Sequence, residues 1–172
     1  MMARAAVALT LFPRARVSGL LDLTTFARVL RGRAPAAGFY SLPGGRVHEG
    51  ETLAAAALRE AQEELGVVAA PLFPHGPLVP AFAATDAMGL FSIAHVLGWV
   101  WASSDGRPPP LTAGDDAKEA LWARVPWHGA PPPAAGAGGL PWASSLPLAG
   151  PVLEVVRLAQ TLASHLQAHK LE

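Results

Sequence analysis

A helix rich in alanine and glutamate is the feature that most constrains the fold of this chain of 172 residues. The segment from Thr52 to Leu65 contains neither proline nor glycine, which favours an uninterrupted helix. Thr52 or Glu51 can begin the helix, and Gly66 lies just past its end. Apolar residues recur along it at helical spacing and predict a stripe that packs on a core: Ala54, Leu58, Ala61 and Leu65.

Acidic residues are concentrated on and just before this helix. Five of the thirteen acids of the chain fall between Glu49 and Glu64. Glu60, Glu63 and Glu64 are spaced i, i+3 and i+4, so they are expected to project from one side of the helix. Three like charges repel there, and a hard divalent cation such as Mg²⁺ or Mn²⁺ would turn that repulsion into binding. A solvated acidic face is the alternative interpretation.

A glycine-containing loop precedes the helix and carries the rest of the pattern. Starting at Gly45, the order is five residues, Glu51, seven residues, Arg59-Glu60, an apolar residue, any residue, Glu63-Glu64, any residue, Gly66 and an apolar residue. This spacing resembles the Nudix box at every position. The preceding segment 39–45, Phe-Tyr-Ser-Leu-Pro-Gly-Gly, is similar to the lead-in common in that family. Residues 113–122 resemble a segment of its ADP-ribose-pyrophosphatase-like members, so that subgroup is expected.

The resemblance implies an α/β fold, a Nudix-type α/β/α sandwich around a mixed β-sheet with a loop-helix-loop catalytic box. Residues 1–172 are expected to form a single Nudix hydrolase domain. Periodicity predicts strands over residues 5–12, 24–31, 39–42, 91–102 and 120–125. A Pro/Gly/Ala-rich loop is expected over 129–148 and a closing helix over 150–169.

By the same resemblance, the chain is expected to hydrolyse a diphosphate bond in a nucleoside diphosphate linked to another moiety. ADP-ribose or a related nucleoside diphosphate sugar is the first candidate. Two alternatives stay open, a nucleoside triphosphate pyrophosphohydrolase that sanitises the nucleotide pool and a non-catalytic ligand sensor with a Nudix fold. Every box glutamate is present, which argues against the sensor. Members that act on oxidised nucleotides can read the base with acids just after the strand tryptophan, and residues 123–126, directly after Trp122, contain no acid, which argues against an oxidised purine.

The resemblance also assigns roles inside the box. It implies that the metal, Mg²⁺ or Mn²⁺, is held first by Glu60 and Glu64, with Glu63 and the Gly45 carbonyl assisting. Arg59 joins the three glutamates as a catalytic residue, because its planar fork can neutralise and orient carboxylates. Glu51 and Gly66 are expected to be structural, and Arg59 also helps to hold the loop and helix in register. The general base remains open among four carboxylates: Glu60, Asp115, Asp116 and Glu119.

Substrate-binding residues are expected outside the box. Phe39 and Tyr40 can stack on an adenine, although aromatic side chains more often pack in a core. Arg31 and Arg33 can meet a phosphate, with a solvated surface as the alternative.

Composition and charge indicate which partners and which cellular compartment to expect. Thirteen basic and thirteen acidic residues cancel, so no nucleic-acid partner is expected. No segment is apolar over the length that a bilayer requires, so no membrane partner is expected. The expected partners are a small-molecule nucleotide and a second copy of the chain in a homodimer. The 129–148 loop is expected to cover either the site or that second copy, and composition does not choose between them. The chain is expected to be cytoplasmic, with an organelle matrix as the alternative because arginines are frequent near its N-terminus.

Overall fold

The computed structural model describes residues 4–33, 37–38, 40–72, 83–85, 91–124 and 152–169. The predictions made for Phe39 and for the 129–148 loop lie outside these residues. Neither of the two helices that are described has the length and apolar character needed to cross a membrane.

Eight strands and two helices are described, and the long ones coincide with the predicted segments. Their order is β1 (Arg4–Arg14), β2 (Thr25–Arg31), β3 (Tyr40–Ser41), β4 (Gly44–Arg46), α1 (Leu53–Leu65), β5 (Ala70–Pro71), β6 (Ala83–Thr85), β7 (Phe91–Trp101), β8 (Ala117–Arg124) and α2 (Val152–His169). Three strands were not predicted, namely β4, β5 and β6. They have only two or three residues each, which is too short for an alternating pattern to show.

The strands form two sheets. The first has the order β4-β1-β7-β5, with β6 also paired to β7. It is mixed, as predicted, because β1 and β7 run parallel over their whole length while the other pairs are antiparallel. The second sheet is antiparallel, with the order β3-β2-β8.

Strand β1 continues through Pro13 to Arg14, although the predicted strand ended at residue 12, just before that proline. Proline lacks the N–H group that a strand ladder uses. The carbonyl of Pro13 accepts a hydrogen bond from the Asp22 N–H at 2.8 Å, so the polar edge of this residue faces the segment after β1 rather than β7. The missing donor therefore interrupts no bond between β1 and β7.

The side chains of β1 alternate between two cores, one for each helix. Leu9 and Leu11 are fully buried in a cluster that contains Ala57 and Ala61 of α1. Phe12, which points to the opposite face, packs with residues of α2. The mixed sheet is therefore covered by α1 on one face and by α2 on the other, which is the sandwich that the sequence predicted.

Both ends of α1 are capped. At its start, the Thr52 side chain accepts a hydrogen bond from the Ala55 N–H at 3.1 Å. At its end, Gly66 has a φ of 68° and donates its N–H to the Gln62 carbonyl at 3.1 Å. A left-handed residue of this kind favours glycine and closes the last turn. The helix bounds are thus set by the two residues that the sequence indicated.

Replacement of Thr52 by alanine should lower the free energy of unfolding by about 1 kcal/mol, because one N-terminal N–H loses its acceptor. Urea denaturation of the wild-type protein and of Thr52→Ala measures this difference. Thr52→Ser keeps the acceptor and should lie close to the wild type. Equal stability of the alanine and serine variants would contradict the role of the cap.

Candidate active site

The three glutamates of α1 lie on one side of the helix, as the spacing predicted, because Glu60 and Glu63 both accept hydrogen bonds from Nη1 of Arg59, but they differ in burial. Glu60 and Glu64 are buried, with 7% and 6% of their surfaces exposed, whereas the Glu63 side chain is 45% exposed. Residues 60 and 64 stack one turn apart on the side that packs on the protein, and the step to residue 63 turns toward solvent. The buried side of α1 thus includes two carboxylates next to its alanines.

Two glycines of β4 lie against these buried carboxylates. The Gly44 N–H donates a hydrogen bond to Oε2 of Glu64 at 2.9 Å. At Gly45, a Cβ atom would stand 2.5 Å from Cδ of Glu60, so the carboxylate occupies the space of the missing side chain. At Gly44, a Cβ atom would instead meet the backbone of β1, with Cα of Ala8 at 2.9 Å. Gly44 is therefore required by its close contact with β1, and Gly45 by its close contact with the Glu60 carboxylate.

Replacement of Gly45 by alanine should displace the Glu60 carboxylate while leaving the sheet in place. If Glu60 is the metal ligand that the resemblance implies, we expect at least a tenfold loss of kcat for the implied hydrolysis, since a misplaced group is costly even when the shift is small. Gly44→Ala is the matched comparison, because its Cβ meets backbone and should lower the free energy of unfolding by about 1–3 kcal/mol. Thermal unfolding and hydrolysis rates of both variants separate the two effects. A Gly45→Ala protein of normal activity would show that Glu60 can move without consequence.

Arg59 connects the loop to the helix. Its guanidinium donates to Oε1 of Glu51 at 2.9 Å, to Oε1 of Glu60 at 2.8 Å and to Oε2 of Glu63 at 3.0 Å. It also donates to the Arg46 carbonyl at 2.8 Å. Arg59 thereby offsets part of the repulsion between the glutamates and fixes the strand before the helix.

Glu51 is held in its charged form by this network. It accepts hydrogen bonds from the Arg59 side chain and from the His48 N–H at 2.9 Å. These bonds, that of Arg59 first, lower the pKa of Glu51 to about 2. In return, the bond to Glu51 raises the pKa of Arg59 above its usual range. The pair makes a permanent clamp between the loop and α1.

Glu64 has the opposite electrostatics. Burial raises its pKa to about 7, and the bond from the Gly44 N–H only partly opposes this effect. Burial also raises the pKa of Glu60, against the influence of Arg59. Two adjacent buried carboxylates that are destabilised in their charged form are well suited to a cation, which would relieve both.

The geometry fits a hard divalent cation whose ligands come partly from the protein and partly from water and substrate. Within the part of the chain that the structure describes, no three acidic or histidine side chains form a group able to hold a metal ion on their own. Magnesium ordinarily takes one or two protein carboxylates and fills its other positions with water and phosphate oxygens. Glu60 and Glu64 supply such a pair, and backbone at Gly45 lies beside them.

The loop before β8 closes the C-terminal end of α1. The Thr112 N–H donates to the Leu65 carbonyl at 2.9 Å, which ends the helix against this loop. Asp115, with a φ of 51°, is the one non-glycine residue in the left-handed region among the described residues. Its charge contributes to the raised pKa of Glu60 and Glu64, so it lies near the pair.

The other general-base candidates have partners of their own. Asp116 forms an ion pair with Arg33 at 3.0 Å, and Oε2 of Glu119 accepts the Tyr40 hydroxyl at 2.8 Å. Among the four carboxylates that the sequence left open, Asp115 thus acts on the pKa of Glu60 and Glu64, while Asp116 and Glu119 are bonded to other side chains. The role of general base stays a prediction for all four.

The predicted substrate-binding residues differ in their position relative to the glutamate pair. Arg31 lies close enough to Glu64 to lower its pKa, whereas the Arg33 side chain is 78% exposed and paired at the surface. Tyr40 is half-buried, and the guanidinium carbon of Arg28 lies 4.1 Å from the centre of its ring. Arg28 was not predicted as a site residue. The signal available in the sequence was a basic residue in the middle of an otherwise apolar strand.

Comparison with known proteins agrees with this geometry. A model of the NUDIX domain matches residues 12–140. No match was found among curated proteins.

Solved structures share the fold at low sequence identity. A MutT/nudix family protein from Enterococcus faecalis is 26% identical with a TM-score of 0.52, over 75% of this chain and 46% of that protein, so this chain spans less than half of its length. The NUDIX domain of Shewanella oneidensis NrtR, solved with ADP ribose, is 18% identical with a TM-score of 0.59, over 94% of this chain and 88% of the other. A NUDIX family hydrolase from Clostridium perfringens is 13% identical with a TM-score of 0.59, over 94% and 99%. Because the family match extends over well more than half of the sequence and includes the loop and helix that build the site, this chain belongs to the NUDIX domain family.

Proposed function

We propose that this protein is a metal-dependent hydrolase of a diphosphate bond in a nucleoside diphosphate linked to another group. The observation that carries the proposal is the burial of Glu60 and Glu64 side by side against Gly44 and Gly45 in a chain of the NUDIX family. A structural helix would not be expected to bury two carboxylates without a cation, since burial disfavours their charged form.

The residues of the chain have distinct parts in this proposal. Glu60 and Glu64 would hold a divalent cation, and the Gly44 N–H fixes the orientation of the Glu64 carboxylate through its bond to Oε2. Arg59 and Glu51 keep the loop and α1 in register. Glu63, which is exposed and bound to Arg59, would assist from the edge of the site. A bound Mg²⁺ or Mn²⁺ would offset the charge of the diphosphate and lower the pKa of a water molecule.

A general base is still required to accept the proton of that water. Asp115 is our second candidate after Glu60, because it lies near the glutamate pair and has no ion-pair partner among the described residues. Its left-handed backbone conformation, unusual for a side chain other than glycine, marks a local strain of the kind that gathers at functional sites.

ADP-ribose is the first substrate to test, with other nucleoside diphosphate sugars next. Its choice follows from the resemblance of residues 113–122 to ADP-ribose-hydrolysing members, and the related domain of Shewanella NrtR binds ADP ribose in its structure. Arg31, whose charge lowers the pKa of Glu64, would meet a phosphate of such a substrate.

Hydrolysis by the purified protein in the presence of Mg²⁺ or Mn²⁺ tests the proposal. The substrates are ADP-ribose, nucleoside diphosphate sugars, dinucleoside polyphosphates and nucleoside triphosphates, each with an EDTA control. Conversion of ADP-ribose to AMP that EDTA abolishes would support both the reaction and the substrate. Preference for triphosphates would keep the reaction and change the substrate, and no turnover of any compound would favour a ligand sensor.

A further inference from the structure

A buried arginine lies in the middle of strand β2. Arg28 is only 6% exposed, and its neighbours along the strand, Ala27 and Val29, are apolar core residues. Its Nε and Nη1 atoms are sealed from solvent and have no hydrogen-bond partner in the part of the chain that the structure describes. Buried polar groups in native proteins are almost always bonded, and a buried guanidinium without an acceptor is a costly exception.

No described residue accepts a hydrogen bond from Nε or Nη1 of Arg28. Its guanidinium stacks on the Tyr40 ring at 4.1 Å, and the Tyr40 hydroxyl donates to Oε2 of Glu119 at 2.8 Å. Among the described residues, Arg28 forms no ion pair. Glu119 acts on Arg28 only through its field, and burial, the larger effect, lowers the pKa of the arginine. The charge is thus met by an aromatic face rather than by an oxygen.

The position of this cluster separates it from the glutamate pair. Ala27 and Val29 face the core that contains α1, so Arg28 points to the opposite face of the three-stranded sheet, together with Phe26. Tyr40, which covers the guanidinium, lies on β3, a two-residue strand at the edge of that sheet, and is half-buried. Glu119, the acid beside it, is exposed. The cluster therefore meets solvent at a sheet edge.

We propose that Arg28 and Tyr40 form a binding site for an oxyanion, the phosphate or carboxylate group of a small molecule. Nε and Nη1 are sealed in the structure, so an oxyanion reaches them when the half-buried Tyr40 ring at the sheet edge shifts. It then gives these two atoms the charge-assisted hydrogen bonds that no described residue supplies. Glu119 weakens the attraction but does not block it, since it makes no ion pair with Arg28. The group can belong to the far end of a nucleotide substrate, a source that rests on the proposed function, or to a separate anion.

Calorimetric titration of the full-length protein with inorganic phosphate in EDTA tests the site without hydrolysis. We expect the dissociation constant to rise at least about tenfold in Arg28→Met, since hydrogen bonds to a charged group are lost. Arg28→Lys keeps the charge but not the planar fork, so its dissociation constant for phosphate should lie between those of the wild type and Arg28→Met. Arg107→Met removes an exposed arginine of a distant turn and should bind phosphate as the wild type does. Thermal unfolding of each variant verifies that it is folded, and Arg28→Lys carries the test if Arg28→Met is not.

A second titration separates the two sources. UDP-glucuronate and UDP-glucose differ by one carboxylate at the end remote from the nucleoside. If the wild type binds UDP-glucuronate more tightly than UDP-glucose and Arg28→Met does not, the oxyanion belongs to the substrate. If that preference is unchanged in Arg28→Met while phosphate binding is weakened, the site binds a separate anion. If the Arg28 variants bind phosphate and both nucleotide sugars as the wild type does, the site does not exist. These affinities are measured without turnover, so loss of the proposed function and loss of this site are told apart.

Discussion

Replacement of Glu64 by glutamine is expected to lower kcat for the preferred substrate at least about a hundredfold, a loss of the size found when one electrostatic group is removed from an active site. Glutamine has nearly the same shape, and its amide oxygen can still accept the Gly44 N–H that the Glu64 carboxylate accepts at 2.9 Å. The change therefore removes the charge and leaves the backbone arrangement. Steady-state hydrolysis in Mg²⁺, together with calorimetric titration of Mg²⁺ into the protein, measures the two consequences.

Matched variants show whether the effect belongs to this position. Asp105→Asn removes a carboxylate from an exposed turn and should retain wild-type activity. Glu63→Gln should have a smaller effect than Glu64→Gln, because the Glu63 side chain is 45% exposed and bonded to Arg59 at the edge of the site. Full activity and unchanged Mg²⁺ affinity in Glu64→Gln would remove Glu64 from the metal site.

Much of the fold could be predicted from the sequence because its signals are local. The bounds of α1 depend on the N-cap Thr52 and on Gly66, whose left-handed conformation only a few residues adopt. The long strands β1, β2 and β7 were recognised from segments rich in apolar and β-branched residues. Strand β4 was missed because its three residues, Gly44–Arg46, pair with β1 through backbone alone and show no side-chain pattern.

The site was predictable in its residue types but not in its geometry. The spacing of the box identified Glu60, Glu63 and Glu64 together, yet only packing decides that Glu63 turns to solvent while the other two are buried. A helical stripe of alanines and leucines also suggested an apolar face apart from the acids. The small alanine side chains let α1 approach the sheet closely, and that proximity buries the glutamates beside them.

Contacts between segments that are distant along the chain could not be predicted from the sequence. Arg28 and Tyr40 are twelve residues apart, and Glu119 is a further 79 residues along the chain. They meet because β3, β2 and β8 are neighbours in one sheet, with Leu30 paired to both Tyr40 and Glu119. No spacing rule brings such residues together, since strand order is a property of the whole fold.

The stability of the metal-free protein should depend on pH in opposite directions on the two sides of about pH 4.5. The pKa of Glu51 is lowered from 4.5 to about 2, so the folded state loses stability as the pH falls through that range. The pKa of Glu64 is raised from 4.5 to about 7, so the folded state keeps a proton that the unfolded chain releases, and stability falls as the pH rises from 4.5 to 7. The second effect amounts to about 3 kcal/mol at most.

Urea denaturation at several pH values in EDTA, repeated with Glu64→Gln, isolates this contribution. Glutamine does not titrate, so the decline between pH 4.5 and 7 should become shallower and retain only the part due to Glu60, whose pKa is also raised by burial. His95, whose pKa is lowered by burial, acts in the opposite direction but equally in both proteins, so it cancels in the comparison. Mg²⁺ should flatten the decline in the wild type alone, because a cation competes with the proton for the same carboxylate. Equal slopes in the two proteins would mean that Glu64 is ionised in the folded state without help, and the electrostatic case for a cation at this pair would fail.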